Sequence, residues 1–582
     1  MSHIRQPLFV PMSRAEYTAL GWDALDILLI SGDAYVDHPS FGIVLLARWL
    51  IENGFRTGLL CQPPWDRPDA LIAIGRPLLC VGIGAGSVDS LLAHYTAFRK
   101  KRGEDAFSPG GRMGLRPNRA TIVYANLARR AYPGLPLVLG GIEASTRRVT
   151  HYDFWSDSLR RPILFDAKAD LLVYGMGERA MVTIAKRLQD GEKVHEIVGV
   201  PGTAWISPLS ATLGPLRVPA EYDQSAAFVF PAHEACLADP KAFMALSLAL
   251  EAQVHAQTRW AYQECSGRAL VLAKPAQKLS TEEMDAVYGL PFTRKAHPSY
   301  REKIPAASML ATSITSHRGC GGGCSFCSLA MHQGRMISSR SEGSLLSEAR
   351  ELARKKPASR RSTGLAISDV GGPTANMWGA ICRLREKKPG QACKRESCCY
   401  PDLCPNFSFS QKAHVDLLTH IASLPGVASV RVASGIRPDL ALTDAHALAV
   451  YVREFTGGQL KLAPEHAVHH VLCAMRKPDL SLFERFLSVF MRESRKAGKE
   501  QYIVPYLMSA FPGCTDEDMR VLAAWLAKRN WSPKQTQCFI PTPGTIATAM
   551  FYCGTDTAGR PMYVARSDAA RLRQHAILTR PR

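Results

Sequence analysis

Long apolar runs are missing from this chain. No uninterrupted hydrophobic stretch approaches the ~20 residues a membrane-spanning helix needs. Even LIAIGRPLLCVGIG (71–84) is broken by Arg76 and Pro77. The opening MSHIRQPLFVPMSRAEY lacks an apolar segment after a basic start, which argues against a secretory leader and for a cytoplasmic protein with no membrane association. Fixed-period repeats are absent too. An intact dinucleotide loop is missing: in GIGAGS (82–87) Ser87 stands where the third glycine of G-x-G-x-x-G belongs, which favours a plain strand-to-helix turn.

What is present is ordinary globular composition, 46% hydrophobic and 21% charged, over 582 residues. That length exceeds one hydrophobic core, so several domains are expected. Lys plus Arg number 71 against 51 Asp plus Glu, a net charge of +20. So large an excess suits an anionic partner, RNA above all, as well as it suits a basic solubilising surface.

Short apolar runs alternate with amphipathic stretches through the first 204 residues. ALDILLISGD (24–33), FRTGLLC (55–61), PLLCVGIG (77–84), LPLVLGG (135–141) and ADLLVYG (169–175) read as strands. SFGIVLLARWLIENG (40–54) and ERAMVTIAKRLQDG (178–191) read as helices. The expected fold is α/β, with a doubly wound parallel sheet over 1–204. Residues 205–304 lose the pattern and are expected to form a connector. A second alternation spans 305–560, with strand candidates at 364–372, 428–436, 458–466, 502–513 and 534–544. It predicts a partial (β/α)6 barrel, whose chemistry gathers at the strand C-terminal ends. A basic tail, 561–582, closes the chain.

Sixteen cysteines in a reducing compartment point to metal or reactivity rather than disulfides where they cluster. HRGCGGGCSFCSLAMHQGR (317–335) places Cys320, Cys324 and Cys327 as C-x3-C-x2-C directly after an apolar strand. Structural zinc takes four ligands, so three thiolates fit poorly unless His317 or His332 joins them. A 4Fe-4S cluster takes closely spaced thiolates on a glycine-rich loop; with three of them one iron stays open for a substrate or cofactor. A second group lies in the insert 380–406: Cys382, Cys393, Cys398 and Cys404, with Cys399 extra. Four or five thiols among lysines and prolines are no packed core. A metal is expected to order them, as a second iron–sulfur cluster or as zinc. Their neighbours Lys387, Lys388, Lys394 and Arg395 are positioned to meet a phosphate backbone.

The cysteine triplet at the end of a first barrel strand resembles the radical S-adenosylmethionine (SAM) superfamily. With SDVGGPTANMW (368–378), APEHA (463–467), LMSAFPGCTDEDM (507–519), GWDALDILLISGDAYVDHPSFG (21–42) and TEEMDAVYGLPFTRKAHPSY (281–300), it is similar to the YgiQ family of that superfamily. The resemblance implies that SAM fills the open iron site and is cleaved reductively to an adenosyl radical. Phe326 suits the pattern around the third cysteine. The pair Gly371–Gly372 matches the place where the superfamily meets the methionyl amino group. The usual acidic residue after that pair is Pro373 here, leaving Asp369 or Ser368 as substitutes. Ser434 and Arg437 fall where ribose or carboxylate contacts are made, and Glu465 and His466 end a strand resembling one of the methylthiotransferase branch.

The first domain resembles the cobalamin-binding fold of many relatives. Its D-x-H-x-x-G signature is absent, since Asp37 and His38 are adjacent, so a retained scaffold is favoured over bound cobalamin. The expected function is therefore a radical SAM enzyme abstracting hydrogen from an unidentified substrate, RNA first among the classes. A flavodoxin- or ferredoxin-like reductant is expected as its partner. The alternatives are a cluster-containing nucleic-acid or cobalamin sensor, and a structural zinc protein.

Overall fold

The computed structural model describes residues 4–209, 215–355, 364–388, 391, 393–533 and 536–579. It comprises two compact units, Met1–Gln277 with Leu290–Ala311, and Lys278–Gly289 with Thr312–Arg582.

The first unit is built on a nine-stranded sheet. Five strands are parallel, in the order Thr57–Cys61, Ile27–Ser31, Cys80–Gly84, Leu137–Leu139 and Leu171–Val173. All five are buried along their whole length, which is why they read as continuous apolar runs rather than alternating ones. The region expected as a connector extends this sheet: Thr203–Pro208, Arg268–Leu272 and Ala261–Cys265 add antiparallel, and Phe228–Phe230 forms the edge. A long helix, Pro240–Ala256, runs between them, capped by the Asp239 carboxylate on the Lys241 amide. Proline and charge dilute the apolar pattern here, and Val229 on the edge strand is exposed.

Asp37 and His38 prove to be structural. Arg48 donates to Asp37 through Nε at 2.7 Å and Nη2 at 2.6 Å, and both side chains are fully buried. Asp37 also accepts from the Thr293 amide at 2.8 Å, and Arg294 approaches His38 at 3.0 Å. These contacts tie 290–311 to the first unit.

GIGAGS forms a tight turn closed by a carboxylate. Gly86 has φ +110°, and a Cβ there would lie 2.1 Å from Asp33 Oδ1. The Ser87 amide donates to Asp33 at 2.6 Å, so the loop amide is committed within the protein. Arg116, fully buried, bridges Asp33 and Asp105 at 3.0 Å each and donates to the Ala85 carbonyl at 3.0 Å, just beyond the end of strand 80–84.

The second unit carries parallel strands in chain order: Ser313–Thr315, then Leu365–Ile367 running into Asp369–Gly371, Val427–Val430, Gln459–Glu465, Tyr502–Ser509 and Thr536–Cys538. Helices Glu342–Lys355, Gln411–Ala422, Ala445–Val450, Leu480–Lys496 and Asp516–Ala527 alternate with them, as a part-barrel requires. Residues 534 and 535 of the last expected strand lie outside the described residues. The stretch expected as a basic tail contains a helix, Asp568–Thr579. Arg571 and Gln574 of this helix are buried and donate to the carbonyls of Phe539 and Cys514. Among the described residues no helix is long and apolar enough to cross a membrane.

Candidate functional site

A cavity of about 450 Å³ opens at the C-terminal ends of the second unit's strands. Cys320, Cys324, Phe326 and Cys327 are among the residues that line it. The strand Ser313–Thr315 delivers this loop, and three backbone bonds hold its shape: Cys320 N to Gly334 O at 3.1 Å, Cys327 N to Cys324 O at 3.1 Å, and Ser325 N to Met475 O at 3.1 Å. Its glycines are spatial necessities. A Cβ on Gly322 would sit 2.7 Å from Arg437 Nη1 and 3.3 Å from Cys320 Sγ. Gly323 has φ +62°, and its Cβ would meet Glu396 O at 2.6 Å.

Burial holds the Cys320 thiol above its ordinary pKa, against the pull of the Arg437 charge. The Cys327 thiol is pushed up to about 12, by burial and then by its two partner cysteines. A metal must therefore displace protons to bind. Among the described residues no three Cys, His, Asp or Glu converge to hold a single metal ion. Structural zinc takes four ligands on one atom, and this loop offers three thiols. A four-iron cluster takes each thiolate on a different iron and tolerates wider spacing. Three thiols lining one cavity, on a loop whose glycines allow the close approach of Arg437, fit such a cluster.

The remaining sequence-derived residues separate into two groups. Arg437, Ser434 and Glu465 line the same cavity. Asp369, Gly371 and Gly372 stand behind it. Asp369 accepts from the amides of Ala433 at 2.7 Å and Ser434 at 3.0 Å, and from the Ser434 hydroxyl at 3.2 Å. A Cβ on Gly371 would lie 2.1 Å from Ser434 Oγ, and one on Gly372 2.7 Å from the His317 ring and carbonyl. The glycine pair lets adjacent strand ends approach, while Pro373 and Thr374 after it reach the cavity. Ser368 donates its amide to the Thr312 hydroxyl at 3.3 Å. His466 is buried against Cys514, 3.5 Å from its sulfur, and burial lowers its pKa to about 4.

Arg437 is the most constrained group in the site. Its Nη2 donates to Asp439 at 2.5 Å and its Nε at 3.0 Å. Its backbone is clamped by Asn376, which accepts from Arg437 N at 2.8 Å and donates to Arg437 O at 3.0 Å. Nη1 points at the cysteine loop, 4.0 Å from Cys324 Sγ. Residues missed in the sequence complete the lining: Lys461, Lys477, Asp439 and Tyr506 bring charge and a hydroxyl, Leu462, Leu482 and Phe483 an apolar wall. Lys477 Nζ lies 4.0 Å from Glu465, whose pKa burial raises and Lys477 lowers. Lysines next to prolines, as in RKPDL, carry no signal in sequence; only their position under the strand ends makes them part of a site.

A family model described as Radical SAM N-terminal matches residues 9–313, just over half the chain. A UPF0313 protein of Geobacter sulfurreducens is 45% identical over 575 residues, covering 98% of this chain and 92% of that one. Another, of Methanosarcina acetivorans, is 44% identical over 586 residues, covering 98% and 78%. The chain belongs to the UPF0313 family. It is thus a radical SAM enzyme, and membership implies SAM and a 4Fe-4S cluster as cofactors. This UPF0313 chain is also similar to a solved structure of the radical SAM methyltransferase TsrM from Kitasatospora setae, with TM-score 0.48 and 15% identity over 89% of this chain and 74% of that one.

Proposed function

We propose that Cys320, Cys324 and Cys327 hold the 4Fe-4S cluster and that SAM binds beside it in the 450 Å³ cavity. The observation that carries this is that one cavity is lined by all three thiols together with Arg437, Lys477 and Glu465. Bound there, the cluster supplies the electron for reductive cleavage of SAM, drawn from a flavodoxin- or ferredoxin-like donor. Arg437 and Lys477 would meet the methionyl carboxylate, since both are cations that line the cavity, oriented by Asp439 and Glu465. Glu465 and Asp439 offer acceptors for an ammonium or ribose hydroxyl. Leu462, Leu482, Phe483 and Phe326 provide apolar contact for the adenine. Asp369 positions the Ser434 loop rather than touching the cofactor.

The test is anaerobic reconstitution with iron and sulfide, reduction, and chromatography for 5′-deoxyadenosine. The wild type is expected to form it. The triple variant Cys320→Ala, Cys324→Ala, Cys327→Ala is expected to fall to background. Product from the triple variant would refute the assignment.

RNA is the substrate class favoured by the +20 charge. Lys387, Lys388 and Lys394 are exposed on the cysteine-rich insert. Arg395 is committed elsewhere, donating to the carbonyls of Ser397 at 3.0 Å, Tyr400 at 3.1 Å and Asp402 at 2.6 Å. Replacing the three lysines by alanine is expected to weaken RNA binding and reduce its salt slope by about 2–3. An unchanged slope would remove the insert from any RNA contact.

The first unit, in this reading, is a scaffold without cobalamin. Asp37 and His38 are engaged internally, and Arg116 is ion-paired to two aspartates beyond the strand ends, the region where such sheets take ligands.

A further inference from the structure

Several cysteines outside the triplet are packed away. Cys399 and Cys404 of the insert lie in an apolar cluster with Met377 and Leu440, and Cys398 packs against it. Cys514 is fully buried, and the histidine beside it is in the wrong tautomer to take its proton. His466 Nδ1 accepts from the Val468 amide at 3.1 Å, so Nε2, 3.5 Å from the sulfur, carries the ring hydrogen.

Cys473 differs on both counts. It is partly exposed, on the helix His469–Met475, and a spacing of four places it on the same face as His469. Its sulfur lies 3.4 Å from His469 Nε2. His469 Nδ1 in turn lies 3.0 Å from Asp479 Oδ2. A carboxylate only accepts, so Nδ1 donates to it and Nε2 is left as an acceptor facing the thiol.

Asp479 is itself fixed. It caps the helix Leu480–Lys496, with its other oxygen accepting from the Ser481 amide at 3.0 Å. Ser481 and then His469 hold its carboxyl down to about 2, so it is charged wherever a thiol titrates. The turn between the two helices is held as well. Arg476, buried at φ +56°, pairs with Glu396 at 3.1 Å. Ser325 of the cysteine loop donates its amide to Met475 O at 3.1 Å and its hydroxyl to Ala474 O at 2.7 Å. The thiol thus stands one residue from backbone that grips the triplet loop, and Asp479 lines the cavity. Tyr400 of the insert faces the same sulfur.

A nucleophile, a base and a third group orienting that base, each within hydrogen-bond reach of the next, is the arrangement that activates a thiol. We propose that Cys473 is a nucleophilic thiol, with His469 as its base and Asp479 as the residue positioning that base, and that its substrates are low-molecular-weight disulfides. His469 Nε2 takes the thiol proton as the Cys473 sulfur attacks one sulfur of the disulfide. A new S–S bond forms to Cys473, the original S–S bond breaks, and the departing thiolate recovers the proton from His469. Cys473 is oxidised to a mixed disulfide and the released half is reduced to a thiol, so no other oxidant enters. Such exchange needs an accessible sulfur and a proton acceptor, and no donors for a developing oxyanion. None of the three groups is assigned to the cluster or to SAM, so the site stands apart from that reading.

The test incubates the full chain, kept anaerobic, with glutathione disulfide at neutral pH, followed by tryptic digestion and mass spectrometry. Cys473 is the only cysteine in the fragment Leu462–Arg476 and Cys514 the only one in Glu500–Arg520, so each is followed separately. The first fragment is expected to gain one glutathione and the second none. His469→Ala is expected to slow the gain about 10-fold, because an unassisted thiol is only a few per cent ionised at pH 7. Imidazole added to that variant is expected to restore part of the rate. Asp479→Asn keeps a side chain that caps the helix but loses the charge that orients the ring, and is expected to slow the reaction by less. Both replaced side chains are exposed, so the fold is expected to hold. A wild-type rate in His469→Ala, or a Cys473 fragment that reacts no faster than that of Cys514, would overturn the proposal. No rescue by imidazole would overturn the role of His469 as base, and an unchanged rate in Asp479→Asn that of Asp479.

Discussion

Arg437→Ala is expected to lower 5′-deoxyadenosine formation by about 10²-fold, on the scale of losing one fixed electrostatic donor at a reacting centre. Arg437 is buried and aims Nη1 at the cysteine loop while Asp439 holds its other edge. Removing it takes a positive charge from beside the thiols and leaves Asp439 buried with its ion partner gone. That second effect costs stability on its own, about 3–5 kcal/mol. The two effects separate in a double variant, Arg437→Met with Asp439→Leu, which restores an uncharged, packed pair. Its melting temperature is expected to return toward wild type while SAM cleavage stays low. Activity that recovers with stability would mean that the arginine only holds the fold. Arg437→Lys is also expected to fail, because an ammonium cannot span Asp439 and the cysteine loop at once.

Asp37→Ala is expected to destabilise the first unit by about 3–5 kcal/mol, since it strips the carboxylate from a fully buried guanidinium. Arg48 would keep its bonds to the carbonyls of Pro7 at 3.2 Å and Leu8 at 2.9 Å, but neither carries a compensating charge. The Thr293 amide would lose its acceptor, so the segment 290–311 is expected to loosen first. Urea unfolding followed by far-ultraviolet circular dichroism measures the loss, and limited proteolysis locates it. A loss below about 1 kcal/mol would place the pair among ion pairs that contribute little. Asp37→Leu with Arg48→Met should recover most of the stability, because two apolar side chains fill the same volume without a desolvation cost.

Much of the architecture is legible in the sequence where burial is two-sided. Strands 27–31, 57–61 and 80–84 are apolar throughout because a parallel sheet covers both faces. The strands at 203–208, 228–230, 261–265 and 268–272 are not. They are antiparallel or at the edge, tolerate polar and proline neighbours, and so pass for a connector. The 568–579 helix looks like a basic tail because its buried face is Arg571, Gln574 and Leu578, two of them polar and each donating to a backbone carbonyl.

Local spacing alone places three thiols on one short glycine-rich loop, because eight consecutive residues cannot spread far apart. It likewise identifies the family, whose motifs are contiguous strings. Which groups face those thiols depends on strands more than a hundred residues away. Only the packed strand ends bring Arg437, Lys461 and Lys477 to the cavity, and only they put Asp369, Gly371 and Gly372 behind it. The same holds for Asp37, whose carboxylate pairs with Arg48 and also accepts from the Thr293 amide some 250 residues further along the chain. The physical reason is common to both: backbone spacing determines what a loop contains, while side-chain burial and charge pairing across the fold determine what it meets.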